Sequence, residues 1–509
     1  MNSVDQAPAS RARIDYVYFL LIFSAVALWI VPIRSPLWLD ESISFCQIHL
    51  GFSQVTAQPR LTFPAYSYIL WFMSKFLGTS EVALRIPSVL AMLGAAYLLY
   101  RTARELFDSN LAMITVIMFC VNPIVVFAAI DARPYAFGAL AINASIFVLV
   151  RLRESDSIGL AACLGVLSAM ILWFHFLLAV MVPGLLAGFI VVKLGGLAEV
   201  STPAAQPLRW KAMWRQLAAA TVGFILTFLP TIPGLLYIFR TKGDHPFDAA
   251  PDFGDLIFTL APNWSLLLLA CIAFVALIIA GLTPGRPKAQ GEKVDLWRAI
   301  LGLILALVPL LILFWVSVTT PLHIFLMRYR LVAVPGICLC WGLLLSWFRP
   351  KALQVWFCVV IVLLATLECI GGSRQHGYTW KYAIEVAEKS ALMDHAWVLM
   401  CSDLPEADHW PLPTGETVKE SNLFAPLSYY KLSVPVVALP RSLNGEAKAV
   451  GSSFIQDSAK RRARFLALAY RPSYPILDWL VRSASGTHDA HEIGVFDGVK
   501  VIEFTPRAE

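Results

Sequence analysis

Residues 111–150 read LAMITVIMFCVNPIVVFAAIDARPYAFGALAINASIFVLV: two apolar runs, Leu111–Ile130 and Tyr135–Val150, joined by Asp131-Ala132-Arg133-Pro134. A helix needs about 20 mostly apolar residues to cross a bilayer's hydrocarbon core, so this pair points to a membrane fold. Working outward, similar runs lie at Tyr16–Ile33, Leu84–Tyr100, Gly159–Trp173, Phe176–Val192 and Leu217–Phe239, then Trp264–Leu282, Ile300–Val318, Phe325–Phe348 and Val355–Ile370. The count comes to about eleven. The first run ends in no small-residue cleavage site and reads as a retained span. Composition agrees: the 509 residues are 58% hydrophobic and only 15% charged, with a mean hydropathy of +0.69. Soluble domains average about 25% charged residues. Disorder, collagen and a small disulfide scaffold are excluded on the same ground.

The net charge of +6 is spread over many loops, with no dense basic face to suggest nucleic acid. Of nine cysteines, Cys120, Cys163, Cys271, Cys338, Cys340 and Cys358 sit inside apolar runs and read as small hydrophobes rather than a disulfide framework. A twelfth run, Thr62–Leu77, is short and carries Pro64 and Lys75 beside Tyr66, Tyr68 and Trp71. Aromatics of this kind favour the lipid–water boundary, so it reads as an interfacial or re-entrant helix.

Charge supplies an independent test. With the N-terminus inside, eleven spans give the inner loops Arg101/Arg104, Arg151/Arg153, Lys193/Arg209/Lys211/Arg215, Arg286/Lys288/Lys293/Arg298 and Arg349/Lys351. This is the positive-inside pattern, and counting Thr62–Leu77 as a span would reverse it. The reading is therefore a polytopic α-helical membrane protein. Residues 1–371 form the membrane domain, with a first outer loop at 34–83, and 372–509 form a small extracytoplasmic α/β domain. Within the latter, Trp397–Met400 and Val434–Leu439 resemble strands, Tyr382–Leu392 and Ala459–Leu468 helices, and Asp497-Gly498 a hairpin turn.

This topology gathers the polar outliers on one side. They are Asp40 and Glu41 after the first span, Asp131, Arg133 and Tyr135 after the third, and His175 after the fifth. Arg240, Lys242, Asp244 and His245 follow the seventh span, and His323, Arg328, Tyr329 and Arg330 the ninth. Charges at membrane depth cost roughly 2.5–3.5 kcal/mol each on insertion scales and usually face a cavity or a partner. Singly, each has an ordinary reading: a solvated Asp-Glu loop, an Asp131–Arg133 ion pair, arginines on lipid headgroups, a packed histidine. The pair His488/His491 lacks further metal-ligand spacing and reads as a surface loop. The shared side favours a polar site in the outer leaflet.

No Walker A loop, dinucleotide fingerprint or H-E-x-x-H is present. Chemistry outside the cytoplasm then needs a donor carrying its own activation, and a polyprenyl-phosphate sugar meets that need. A carboxylate can take the proton of an acceptor hydroxyl, and arginines can hold the leaving phosphate.

On Trp38-Leu39-Asp40-Glu41, Ala83-Leu84-Arg85-Ile86-Pro87-Ser88, Asp131-Ala132-Arg133-Pro134-Tyr135, Phe174-His175-Phe176, Arg328-Tyr329 and Val334-Pro335-Gly336, the chain resembles the GT-C superfamily. The likeness is to the branch holding the dolichyl-phosphate-mannose protein mannosyltransferases and the bacterial transferase that adds aminoarabinose to lipid A. That resemblance implies a GT-C fold and an inverting glycosyltransferase of the bacterial inner membrane, its site and C-terminal domain extracytoplasmic. It makes Asp40 the base with Glu41 beside it, and assigns Asp131, Arg133, Tyr135, His175, Arg328, Tyr329 and Arg330 to substrate. The implied partners are a polyprenyl-phosphate sugar and a glycan, lipid or protein acceptor. Thr62-Phe63-Pro64 stands where the family shows a His-Pro-Pro-like motif, so the histidine is lost. Members differ over a metal ion, and no closed ligand set is visible here, which leaves a divalent cofactor open. The rival readings are a transporter or flippase for a lipid-linked or anionic solute, and a non-catalytic scaffold. No internal repeat of the kind transporters often carry is found.

Overall fold

The computed structural model describes residues 8–57, 64–198, 206–241, 250–261, 296–346, 351–371, 376–409 and 411–507. Among them, five helices are long and apolar enough to cross a membrane: Glu81–Leu106, Phe176–Gly195, Trp210–Leu236, Leu296–Thr319 and Lys351–Cys369. Shorter apolar helices cover Asp15–Ile30, Tyr135–Arg151, Ile158–Phe174 and Arg330–Leu345. The expected run Trp264–Leu282 lies outside the described residues, as do Lys242, Asp244, His245, Thr62 and Phe63.

The stretch that opened the sequence reading is not one straight span. Ser109–Val121 and Pro123–Ala129 are two helices bent by 68°. Asn122 makes the break, its side-chain oxygen accepting from the Ile124 amide at 2.9 Å. Pro123 starts the second helix, where its missing N–H costs nothing. The bend brings Asp131 to a fully buried position. The Thr62–Leu77 run forms the helix Pro64–Leu77, too short for a straight crossing. Its Phe72, Phe76 and Leu77 are exposed.

The C-terminal part is a five-stranded sheet with order β2-β1-β3-β5-β4. The strands are β1 (Trp397–Cys401), β2 (Val436–Leu439), β3 (Phe465–Tyr470), β4 (His488–Phe496) and β5 (Val499–Pro506). β2, β1 and β3 run parallel, and β5 is antiparallel to β3 and β4. Asp497-Gly498 closes the β4–β5 hairpin with φ of +52° and +85°, as a two-residue turn of this kind requires. One expectation fails: Ala459–Leu468 is not a helix. The helix Gly445–Arg461 ends at Arg462, which adopts a left-handed φ of +52°. Phe465–Tyr470 is then the central strand, buried along nearly its whole length. Its Leu and Ala favour a helix in isolation; pairing on both edges and burial on both faces outweigh that preference.

This sheet domain sits directly on the loop before Asp40. Tyr430 Oη accepts from the Leu37 amide at 2.6 Å, and Thr379 Oγ1 donates to the Leu37 carbonyl at 3.1 Å. Ser35 Oγ accepts from the His376 amide at 3.2 Å. A Cβ on Gly377 would lie 3.0 Å from Trp38, so the backbone there is pressed onto the indole.

Candidate active site

The helix Leu39–His49 begins with Asp40 and Glu41 in its first turn, where carboxylates complement the helix dipole. The two neighbours point to different places. Glu41 is fully buried against Arg85, also fully buried, of the helix Glu81–Leu106. Its Oε1 accepts from Arg85 Nε at 2.8 Å and the Ala132 amide at 2.9 Å. Its Oε2 accepts from Arg85 Nη2 at 2.5 Å and the Trp38 amide at 3.3 Å. Arg85 also donates to the carbonyls of Ile33, Ser35 and Pro36 at 2.9, 2.6 and 3.1 Å. One ion pair thus ties the loop, the Asp40 helix and the Asp131 turn together.

Asp40 faces the other way. Its Oδ2 accepts from Arg328 Nη1 at 2.7 Å, with side chains 16% and 24% exposed respectively. Arg133 Nη1 donates to the Asp40 carbonyl at 3.2 Å. Three segments far apart in sequence therefore place two guanidinium groups and a partly open carboxylate together. Arg328 lies over the Tyr329 ring at 5.4 Å. Tyr135 stacks on His175 at 5.2 Å, and His175 meets Tyr329 at 5.0 Å, so these three rings form one wall. His175 Nδ1 accepts from the Leu177 amide at 3.3 Å. Burial, with the charges of Arg133 and Arg328, holds its pKa well below the usual histidine value, keeping the imidazole neutral.

Arg330 turns elsewhere. It donates to Thr259 Oγ1 at 2.9 Å and the Asp255 carbonyl at 3.3 Å, holding the helix Phe253–Leu260, and packs over Phe325. Asp131 lies behind the pocket. Its Oδ1 accepts from Trp38 Nε1 at 3.1 Å and stands 3.4 Å from His376 Nε2. Ser88 Oγ donates to its carbonyl at 2.6 Å. Burial raises the Asp131 pKa.

Arg85 and His376 were not assigned roles from the sequence. Arg85 had a signal, a lone arginine inside a predicted span. His376 had none, because it reaches Asp131 only through domain docking.

Glu41, Asp131 and His376 bring one ligand atom each within 4.8 Å of one another, the grouping among the described residues that suits a metal ion. The chemistry of the donors argues against it. Both Glu41 oxygens are engaged by the Arg85 guanidinium and by amides, and Asp131 Oδ1 by Trp38. That leaves Asp131 Oδ2 and His376 Nε2, both buried without a hydrogen bond, beside a fixed cation. A divalent ion held by these two groups would need water or substrate oxygens to complete its coordination.

Residues 58–230 match the family described as dolichyl-phosphate-mannose-protein mannosyltransferase. Two solved structures of ArnT from Cupriavidus metallidurans superpose along nearly the whole chain. The apo form has a TM-score of 0.52 at 12% identity, covering 97% of this chain and 98% of that one. The form bound to undecaprenyl phosphate has 0.50 at 13% identity, covering 95% and 97%. This chain has the GT-C fold. No curated protein sequence matches it. Within this GT-C chain, the stretch that matches the family holds the Arg85 helix, the Asp131 turn and His175. Asp40, Arg328 and the sheet domain lie outside that stretch.

Proposed function

We propose that the protein is an integral-membrane glycosyltransferase that moves a sugar from a polyprenyl-phosphate donor to an extracytoplasmic hydroxyl acceptor by inverting displacement. The observation that carries this reading is the Asp40–Arg328 contact at 2.7 Å, with Arg133 on the Asp40 backbone. Undecaprenyl phosphate bound to a structure of the same fold supports the choice of donor class.

In this reading the donor phosphate takes Arg328 and Arg133, because a guanidinium matches phosphate oxygens and stays charged. Drawing Arg328 to phosphate releases Asp40. The acceptor oxygen then attacks the anomeric carbon from the face opposite the phosphate. As the carbon–oxygen bond to phosphate breaks, Asp40 takes the hydroxyl proton and polyprenyl phosphate departs with the bonding electrons. The growing negative charge is met by the arginines. Tyr135, His175 and Tyr329 wall the donor sugar. Glu41 and Asp131 hold the geometry, and Arg330 braces the helix Phe253–Leu260.

The test uses purified protein in nanodiscs with radiolabelled polyprenyl-phosphate sugars. Release of free polyprenyl phosphate is expected only with acceptor present, and Asp40→Asn is expected to abolish it while the protein stays folded. Full activity in Asp40→Asn removes Asp40 from the role of base.

A further inference from the structure

We infer that the loops at the carboxyl edge of β1, β2 and β3, centred on Asp403, form a second subsite that receives an uncharged, hydroxyl-bearing part of the acceptor beside Asp40. This inference rests on the reading of Asp40 as the acceptor's base.

Asp403 follows β1 by two residues, Arg441 follows β2 by two, and Arg471 directly follows β3. In open sheets with parallel strands, ligands bind at this carboxyl edge. Asp403 is 8% exposed. Its Oδ2 accepts from the Tyr378 hydroxyl at 2.7 Å. Tyr378 stacks on Tyr470 with ring centres 4.3 Å apart and planes 11° from parallel. Gly498, at φ +85°, backs Tyr470 so closely that a Cβ would come within 2.9 Å of the ring. The phenol that holds Asp403 is therefore itself clamped.

The clamp is anchored to the membrane domain. Thr379, next to Tyr378, donates its amide to Asp497 Oδ2 at 2.5 Å and its hydroxyl to the Leu37 carbonyl, three residues before Asp40. Burial raises Asp403 to about 6, with a smaller push from the Asp40 charge, against the lowering effects of the Tyr378 hydrogen bond, Arg441 and the Trp380 indole. Among the described residues, no lysine or arginine comes within ion-pair distance of Asp403. A buried carboxylate without an ion pair costs folding free energy, and such groups concentrate at functional sites.

The chemistry selects the ligand. The buried Asp403 charge disfavours an anionic group in direct contact with it. A carboxylate held by the Tyr378 phenol, with the Trp380 indole also beside it, still has lone pairs to offer a hydroxyl. A neutral saccharide or polyol fits that description.

The experiment uses the full chain in nanodiscs. Saturation-transfer NMR would read binding of methyl α-mannopyranoside, methyl β-galactopyranoside and their 6-phosphates. Native mass spectrometry would read binding of undecaprenyl phosphate. A neutral glycoside is expected to bind better than its phosphate, at least fivefold more weakly in Asp403→Asn, with undecaprenyl phosphate binding unchanged. Asp403→Glu, which retains the charge but displaces it, serves as the second variant and is expected to weaken binding at least threefold. Absence of glycoside binding, preference for the phosphate, or unchanged binding in whichever variant folds overturns the inference. Failure of the wild-type protein to bind undecaprenyl phosphate counts against the donor reading instead.

Discussion

Glutamate 41 and its neighbour separate structure from chemistry, and the separation can be measured. In Glu41→Gln one carboxylate oxygen becomes an NH2 group facing donors. On either side it confronts two, because Oε1 accepts from Arg85 Nε and the Ala132 amide, and Oε2 from Arg85 Nη2 and the Trp38 amide. Hydrogen bonds to charged groups contribute about 1.5–3 kcal/mol each, so two losses come to roughly 3–6 kcal/mol. An independent route gives a similar figure: removing one partner of a buried ion pair typically costs about 3–5 kcal/mol, because the other charge stays buried and unpaired. Glu41→Gln is therefore expected to destabilise the fold by about 3–5 kcal/mol. Unfolding in mixed micelles followed by tryptophan fluorescence would measure it. The double variant Glu41→Gln/Arg85→Met removes the stranded cation and is expected to recover at least half of the loss. Asp40→Asn should lie within about 1 kcal/mol of wild type, since its pair with Arg328 is partly solvated. A Glu41→Gln protein as stable as wild type yet as inactive as Asp40→Asn would refute the reasoning and make Glu41 a chemical participant.

Arg328→Ala is expected to weaken undecaprenyl phosphate binding at least tenfold, about 1.4 kcal/mol, by native mass spectrometry, whereas Arg330→Ala should leave it within threefold. Asn122→Ala removes the side chain that caps the helix starting at Pro123; a loss of about 1 kcal/mol is expected in the same unfolding assay. Asp403 binds its proton more tightly folded, at about 6, than unfolded, near 3.8. Its favourable contribution is therefore full below the unfolded pKa and is lost as pH rises through about 6, a change on the order of 3 kcal/mol. The wild-type stability is expected to fall relative to Asp403→Asn across that window, and parallel pH profiles would contradict it.

Much of the fold was legible because membrane helices are selected by local hydrophobicity. Runs such as Leu84–Tyr100 and Ile300–Val318 declare themselves by length, and their observed helices, Glu81–Leu106 and Leu296–Thr319, extend them only at the ends. The Asp497-Gly498 turn was equally local. Errors arose where non-local contacts outweighed local preference. Phe465–Tyr470, rich in Leu and Ala, is a strand only because β1 and β5 flank it. Leu111–Ile130 reads as one span, yet bends at Asn122, where the freed backbone groups find a side-chain cap.

The amino-acid order alone determined that this chain belongs in a bilayer and which polar residues must be accounted for there, because burying apolar length is additive along a helix. It named Asp40 and Glu41 together but did not distinguish them. Successive residues on a helix point about 100° apart, so one carboxylate turns into the interior and the other toward the pocket. Which does which depends on Arg85, 44 residues from Glu41, and on Arg328, 288 residues from Asp40. Electrostatic partnership acts through space, and only the packed helices and the docked sheet domain set those distances.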